Sequence, residues 1–584
     1  MIVLGINAFH GDASAVVLVD GELKAAVEEE RFERVKHWAG FPKLSIQYCL
    51  DSIGARIEDV DHIAIGRNTR AHLLDKILYV MQKRPSVDFI KDRAQNMLKV
   101  RNPKNEIASA LGIDPERLRA KQHNIEHHRS HQASAYYCSP FEESAVVSVD
   151  GFGDFVGAMW AYGKGNKMEA IKRVSFPHSL GLFYSGMTQY LGFPRYGDEY
   201  KVMGMSAYGQ PDEKLMQKVR QIVILKDDGG FELNLDYFQH HSKGIAMTWV
   251  GEPRYDTIYS PKLEELLGPA RPKGERPDDR ILALAACVQR RYEEAYFHML
   301  ATAARLTGSR NISVAGGCGQ NSLANGKVLA RGQFDEIFVQ PASYDAGTAL
   351  GAALYTYHHV LGNPRRWHME HSYWGPGYTD KEIEDLLKAE GAEYRKLPDD
   401  QMYKTVAQTI ADGGIIGWFQ GRLEWGARAL GHRSILANPL RPDMKDILNL
   451  RIKKRESFRP FAPAIILEAV GDYFEQTKPD PFMLKVYKIK PEKRALIPAV
   501  THVDGTGRLQ TVTEKEDKHY YGVIKAFGDI TGVPILINTS FNENEPIVCT
   551  PKQAYDCFKR THMDMLVLHN YVVTKAPEAA TAAL

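Results

Sequence analysis

The sequence has no CxxC pair: its six cysteines, Cys49, Cys138, Cys287, Cys318, Cys549 and Cys557, are scattered along 584 residues. That excludes a disulfide framework and a cysteine zinc site, and it suits a reducing cytosol, so a cytoplasmic protein is expected. No apolar run reaches the ~20 residues that span a bilayer, so no membrane partner is expected. Charge of either sign is also missing in excess. The 74 Lys and Arg against 72 Asp and Glu leave +2, which draws the whole molecule to no nucleic acid. The first residues, Met1-Ile2-Val3-Leu4-Gly5-Ile6-Asn7, lack a basic leader region and turn polar at once, so they read as a strand and not as a signal peptide. There is no Gly-x-Ser-x-Gly elbow and no cysteine paired with a His motif, which removes the usual covalent nucleophiles. The length exceeds one core, so at least two domains are expected.

What is present begins with His127-His128-Arg129-Ser130-His131. On a helix, His127 and His131 share a face one turn apart and can offer two imidazoles to one metal. The HExxH pattern of zinc peptidases is absent, because Glu126 precedes the pair. Downstream, the apolar strand 145–149 breaks into Asp150-Gly151-Phe152-Gly153-Asp154, and Asp345 stands just before a small-residue helix. Two imidazoles and the carboxylates of Asp150 and Asp345 form a mixed N/O donor set that suits Fe(II), Mn(II) or Zn(II).

A pattern recurs along the chain. Strand 2–6, a small-residue turn through His10, Gly11 and Asp12, strand 13–19, the hairpin signal Asp20-Gly21 and strand 23–27 make one unit. Strand 145–149, the Asp150 turn, strand 156–162, Gly163-Lys164-Gly165-Asn166 and strand 168–174 make another. A duplicated fold of the actin-like or sugar-kinase-like kind, with both turns on a shared cleft, produces this pattern. Two unrelated hairpins would produce it as well. Helical spacing covers 42–50, 71–100 and 281–306, and the Ala-rich tail 576–584 is expected to fray. Gly316-Gly317 follows strand 312–315 and lets a backbone approach a nucleotide closely. Residues 363–377 read as a linker. Beyond it come a helix and strand over 403–419, and then Arg422, Arg428 and Arg433 in Gly-rich sequence. Arg455 and Arg459 flank a Pro-Phe segment, and strand 533–536 runs into Asn538-Thr539-Ser540-Phe541-Asn542. Arginines grouped in this way suit phosphate or carboxylate.

Taken together and in order, these motifs resemble the O-carbamoyltransferase family that includes nodulation and antibiotic-tailoring carbamoyltransferases. The segments that carry the resemblance are residues 5–14, Glu28-Glu29-Glu30-Arg31-Phe32, 127–131, 150–154, Lys201-Val202-Met203-Gly204, 316–325, 345–351, 421–434, 454–463 and 538–542. Two departures are local: Cys318-Gly319-Gln320 stands where small apolar residues are frequent, and Gly431-His432-Arg433 where Gly-Asn-Arg is frequent.

The resemblance implies an α/β chain with an actin-like, duplicated N-terminal domain over 1–365, similar to tRNA threonylcarbamoyl transferases. It implies a C-terminal α+β domain over 366–584, similar to enzymes that make carbamoyl- or threonylcarbamoyl-adenylate (YrdC-like). The implied chemistry has two steps. Carbamoyl phosphate and ATP, with Mg²⁺, give carbamoyl-adenylate and pyrophosphate; the carbamoyl group then passes to a hydroxyl of a small molecule. The implied metal, usually Fe²⁺, is held by His127, His131, Asp150 and Asp345. His10 and Lys36 contact the carbamoyl-adenylate, with His131 beside the reacting groups. Asp12, Gly151, Gly153, Gly316, Gly317, Asn321 and Asn325 cradle the nucleotide. Arg422, Arg428, Arg433, Arg455, Arg459, Ser540 and Asn542 bind carbamoyl phosphate and ATP. A homodimer is an allowed assembly. The acceptor is left open among sugars, aminoglycosides, macrolides, nucleosides and alkaloids, with segments 184–200 and 239–271 expected as its loops. Two rivals stand beside this reading: an actin-like small-molecule kinase and a non-catalytic, nucleotide-switched module.

Overall fold

The computed structural model describes residues 1–83, 103–243 and 250–575. Part of the helical pattern expected over 71–100, part of the expected acceptor loop 239–271, and the tail 576–584 therefore lie outside the described residues. The chain forms two compact units, Met1–Met369 and Glu370–Leu584.

In the first unit, β1 (Ile2–Asn7), β2 (Ser14–Val19), β3 (Glu22–Glu28), β4 (His62–Ile65) and β5 (Lys121–Asn124) form a sheet of order β3-β2-β1-β4-β5. The first three strands are antiparallel neighbours, and β4 and β5 run parallel to β1. The hairpin between β2 and β3 turns at Asp20 and Gly21, both at positive φ (51° and 86°), the backbone that an Asp-Gly dipeptide favours. A second sheet repeats the plan. β6 (Glu143–Gly153), β7 (Val156–Lys164) and β8 (Lys167–Ser175) are antiparallel, and β11 (Asn311–Ala315) and β12 (Glu336–Val339) run parallel to β6, in the order β12-β11-β6-β7-β8. Strand order and polarity match in the two sheets, so the recurring sequence units are a duplication of the actin-like kind. Between β8 and β11 in sequence, β9 (Val223–Leu225) and β10 (Phe231–Leu233) form a small separate ribbon.

The helix His127–Tyr136 has no apolar stripe, yet all of its residues except Arg129 are buried. It survives burial because most of its polar groups are paired, with His131 Nδ1 and Gln132 Oε1 the exceptions among the described residues. Ser130 Oγ donates to the Glu126 carbonyl, Gln132 Nε2 to the Met159 carbonyl and Ser134 Oγ to the His131 carbonyl. The helix Gly347–Leu354 packs against it, so close that a Cβ on Gly351 would overlap the Ser130 carbonyl oxygen. The long helix expected over 281–306 spans Asp279–Thr307, capped by the Asp278 side chain and ended by Gly308 at φ 67°.

In the second unit, the main sheet contains β13 (Tyr394–Lys396), β14 (Ile416–Phe419), β15 (Arg433–Ala437), β16 (Ala462–Ile466), β19 (Gln510–Val512), β20 (Ile535–Ser540), β21 (Met565–Leu568) and β22 (Tyr571–Thr574). Its order is β13-β22-β21-β14-β15-β20-β16-β19, and β17 (Val486–Lys488) pairs separately with β18 (Thr506–Arg508). Both faces of the sheet are covered. Leu536 and Trp418 face a core shared with the helices Asp399–Ala411 and Lys518–Thr531, while Ile535, Ile537 and Phe419 face the opposite core. Strand β20 starts and ends later than the expected 533–536. It lies between β15 and β16, so its polar end is paired: Asn538 Nδ2 donates to Gln510 Oε1 and to the Ala429 carbonyl.

Candidate functional site

Two clusters stand out in the first unit, and one in the second. In the first cluster, the helix His127–Tyr136 presents His127 and His131, β6 carries Asp150 three positions before it ends at Gly153, and the segment before the helix Gly347–Leu354 presents Asp345. One donor atom of each of these four buried residues lies within 4.8 Å of all the others. His127 Nε2 is 3.2 Å from Asp150 Oδ2 and 3.1 Å from His131 Nε2, and His131 Nε2 is 3.3 Å from Asp345 Oδ1. Each carboxylate turns its other oxygen outward to a fixed partner. Asp150 Oδ1 accepts the Gly317 N–H at 2.7 Å, and Asp345 Oδ2 pairs with His10 Nδ1.

The electrostatics follow from this packing. Burial opposes the ionised form of Asp150, but hydrogen bonds from His127 and His131 hold its carboxyl well below the usual range. Asp345 is lowered in the same way, with His10 as the main opponent of burial. Burial would discharge His131, yet the two carboxylates outweigh it and raise the imidazole to about 9. Two facing ring nitrogens and two carboxylates in a dry pocket make an arrangement that a divalent cation neutralises, and the N/O donor set fits iron, manganese or zinc. His128 takes no part. Its Nε2 donates to the Val156 carbonyl, its Nδ1 accepts from Ser148 Oγ, and burial pushes it down to about 4, so it is a neutral core residue.

The glycines expected at a nucleotide have a nearer task. A Cβ on Gly153 would overlap the His127 ring, and one on Gly316 (φ 89°) would overlap the Val149 carbonyl. Gly316 and Gly317 bring a backbone N–H to Asp150, while Gly151 faces open space. Asn321 caps a turn through Ala324 N–H and pairs with Gln289; Asn325 Nδ2 donates to the Gly319 carbonyl and its Oδ1 accepts from Tyr296. Both asparagines therefore shape the loop from within. Gly153→Ala is expected to displace His127 and lower bound metal by at least ~10-fold, the scale seen when support of a ligand is lost. Metal content per chain after dialysis checks this.

The second cluster is Asp12, Glu30 and His37, again with donor atoms within 4.8 Å. His37 Nδ1 lies 2.7 Å from Asp12 Oδ1 and the His37 N–H donates to Glu30 Oε2 at 2.6 Å. Lys36 is exposed beside them, and its charge reaches Glu30 and His37. His37 was not foreseen, since a lone histidine after a lysine carries no motif. Tyr196 closes over this turn, within the segment expected as an acceptor loop. That segment is helical as far as Tyr190, because the helix Leu180–Tyr190 is capped by Ser179.

In the second unit the expected arginines divide. Arg433 is fully buried, lies 3.5 Å from the centre of the Phe419 ring, and donates to the carbonyls of Gln420, His432, Pro376 and Gly421. Arg422 donates to the carbonyls of Gly375 and Trp374. These two guanidiniums hold the turn. Glu424 completes the frame, its Oε1 accepting the N–H groups of Leu430, His432 and Arg433. Arg428, Arg455 and Arg459 all act electrostatically on a residue the sequence motifs did not single out, Arg508, and the buried Asp480 carboxylate acts on it with the opposite sign. Burial and the repulsion of these three arginines depress Arg508 strongly, and its Nε meets no hydrogen-bond partner among the described residues. Ser540 and Asn542 form a turn around the buried Lys453, whose Nζ donates to the Ser540 carbonyl and, at 2.8 Å each, to Asn542 O and Oδ1.

Residues 2–354 match the family described as carbamoyltransferase N-terminus, and residues 407–575 the family described as carbamoyltransferase C-terminus. The chain is 38% identical over 579 residues to nodulation protein NolNO of Sinorhizobium fredii, covering 97% of this chain and 80% of that one. It is 40% identical over 461 residues to nodulation protein NolO of Bradyrhizobium diazoefficiens, covering 78% and 79%. An uncharacterised protein of a Synechocystis strain is 39% identical over 610 aligned residues, covering 99% and 97%.

Proposed function

The chain belongs to the carbamoyltransferase family, and from that premise we propose that it is an ATP-dependent O-carbamoyltransferase working in two steps on a small-molecule hydroxyl. In the first step, assigned to the second unit, carbamoyl phosphate, ATP and one water give carbamoyl-adenylate, pyrophosphate and phosphate; the water balances the atoms. Mg²⁺ accompanies the nucleotide. The observation that supports this reading is that the charges of Arg428, Arg455 and Arg459 all repel the Arg508 guanidinium and outweigh the pull of Asp480, an excess of positive charge that a polyphosphate would neutralise. The Ser540–Asn542 turn, set by Lys453, supplies polar groups beside them on the same reading.

In the second step, assigned to the first unit, the acceptor oxygen attacks the carbamoyl carbon. The bond from that carbon to the phosphoryl oxygen breaks, AMP leaves with the electron pair, and the hydroxyl proton goes to water. The cation held by His127, His131, Asp150 and Asp345, Fe²⁺ on family grounds, supplies Lewis acidity to oxygen ligands when bound. His10 orients Asp345, and Gly317 orients Asp150. The acyl-adenylate is already activated, so the absence of a paired nucleophile is consistent with this chemistry.

The test is pyrophosphate release from ATP with and without carbamoyl phosphate, followed by a mass screen of hydroxylated small molecules for the gain of one carbamoyl group. Pyrophosphate release that ignores carbamoyl phosphate removes the proposal.

A further inference from the structure

The Asp12, Glu30 and His37 cluster has the spacing of a cation site, but its donors are already spent on each other. Asp12 Oδ1 holds His37 Nδ1, and Glu30 holds the His37 N–H on one oxygen and Arg31 Nη1, at 2.6 Å, on the other. His37 is therefore the cation of this cluster. Its ring is clamped at Nδ1 by a carboxylate, its backbone sits at φ 56°, and the edge of Tyr196 packs on it at 5.3 Å. The remaining ring nitrogen, Nε2, has no hydrogen-bond partner among the described residues, and the side chain is one-third exposed. Nε2 faces Gly197, where any side chain would overlap it. Tyr196 covers both His37 and Gly11, and the adjacent His10 pairs with Asp345 and lies 5.9 Å, ring to ring, from His127, so the His37 pocket adjoins the His/Asp cluster.

We propose that His37 is a catalytic residue of the transfer step, donating its Nε2–H to the phosphoryl oxygens of the acyl-adenylate and to the AMP dianion as it departs. The inference rests on the two-step reading above. The bond that breaks joins the carbamoyl carbon to a phosphoryl oxygen, and negative charge grows on that phosphate; a fixed imidazolium stabilises it without giving up its proton. The charges that act most strongly on His37 mostly agree in sign. Asp12, Glu30 and the partly buried Glu199 favour the cation, and Lys36 opposes it. Burial lowers the His37 imidazole, but Asp12 and Glu30 prevail and raise it to about 9.

The experiment uses the full chain with its metal, comparing wild type, His37→Gln and His37→Arg. Carbamoyl-phosphate-dependent exchange of pyrophosphate into ATP reports the first step alone, and AMP release reports the second. His37→Gln is expected to slow AMP release by about 100-fold while exchange stays within about twofold. A raised pKa means the cation is present below it, so wild-type AMP release should fall as pH climbs through about 9. That limb should vanish in His37→Gln, and His37→Arg should recover activity that persists above it, because guanidinium stays charged. Normal AMP release by His37→Gln, an unchanged alkaline limb, or no advantage of Arg over Gln overturns the inference. Failure of wild-type exchange to require carbamoyl phosphate overturns the two-step reading instead.

Discussion

His131→Ala should abolish carbamoyl transfer and leave the adenylate-forming step intact. His131 is wholly buried, and its Nε2 is 3.6 Å from Asp150 Oδ2 and 3.3 Å from Asp345 Oδ1. Alanine deletes one of four convergent donors and leaves two carboxylates facing each other with a single imidazole between them. A bound cation contributes several kcal/mol at a reacting oxygen, so AMP release should drop by on the order of 10³-fold. Metal content should fall with it, read by elemental analysis of the purified chain, so the prediction does not depend on activity alone. Pyrophosphate–ATP exchange should stay within about twofold, because the arginine cluster belongs to the other core. If exchange and AMP release fall together, the proposed division of labour is wrong. His128→Asn is the informative neighbour: it removes a core histidine that holds Ser148 and the Val156 carbonyl, and should cost stability while sparing metal content.

The clustering of His127, His131, Asp150 and Asp345 was legible in part because helical spacing is a local property. Four residues apart means one face, although the strand carrying Asp150 runs on to Gly153 and does not break at 149 as expected. The duplicated sheets were legible for the same reason, since each unit is a run of adjacent antiparallel strands closed by turn residues such as Asp20-Gly21. What escaped was set by long-range packing. The His127–Tyr136 helix has no apolar period, because it is buried on nearly all sides and satisfies itself through hydrogen bonds. Arg433 and Arg422 carry the same Gly-rich signature as Arg428, yet backbone carbonyls claim the guanidiniums of these two and fix the turn with them. No sequence pattern distinguishes a guanidinium that caps carbonyls from one that waits for an anion. Arg508 sits alone between Gly507 and Leu509 on a short strand, and only the fold places it with the other three. His37 and Lys36 are adjacent in sequence, yet His37 is the one clamped between two carboxylates.

Arg508→Ala should produce the opposite phenotype to His131→Ala, with an unusual signature in stability. Its guanidinium is held among Arg428, Arg455 and Arg459 at a cost, since burial and like charge both disfavour the ionised form. Arginine remains charged at neutral pH all the same, so the folded protein carries that repulsion, offset in part by Asp480. Removing Arg508 should therefore leave the thermal midpoint unchanged or raise it, whereas most truncations of a partly buried side chain lower it. Carbamoyl-phosphate-dependent pyrophosphate–ATP exchange should fall on the order of 100-fold, the usual cost of losing one fixed donor to developing charge. Pyrophosphate alone should stabilise the wild type, by about 2.7 kcal/mol at a hundredfold excess over its Kd, and should stabilise the variant less at the same concentration. Arg508→Lys should fall between the two, because an ammonium restores the charge without the two-pronged contact. Metal content should not move in either variant. A collapse of the thermal midpoint in Arg508→Ala would make the residue a structural strut, and full exchange activity would detach it from the anion site; either result would leave this excess of positive charge without the role assigned to it.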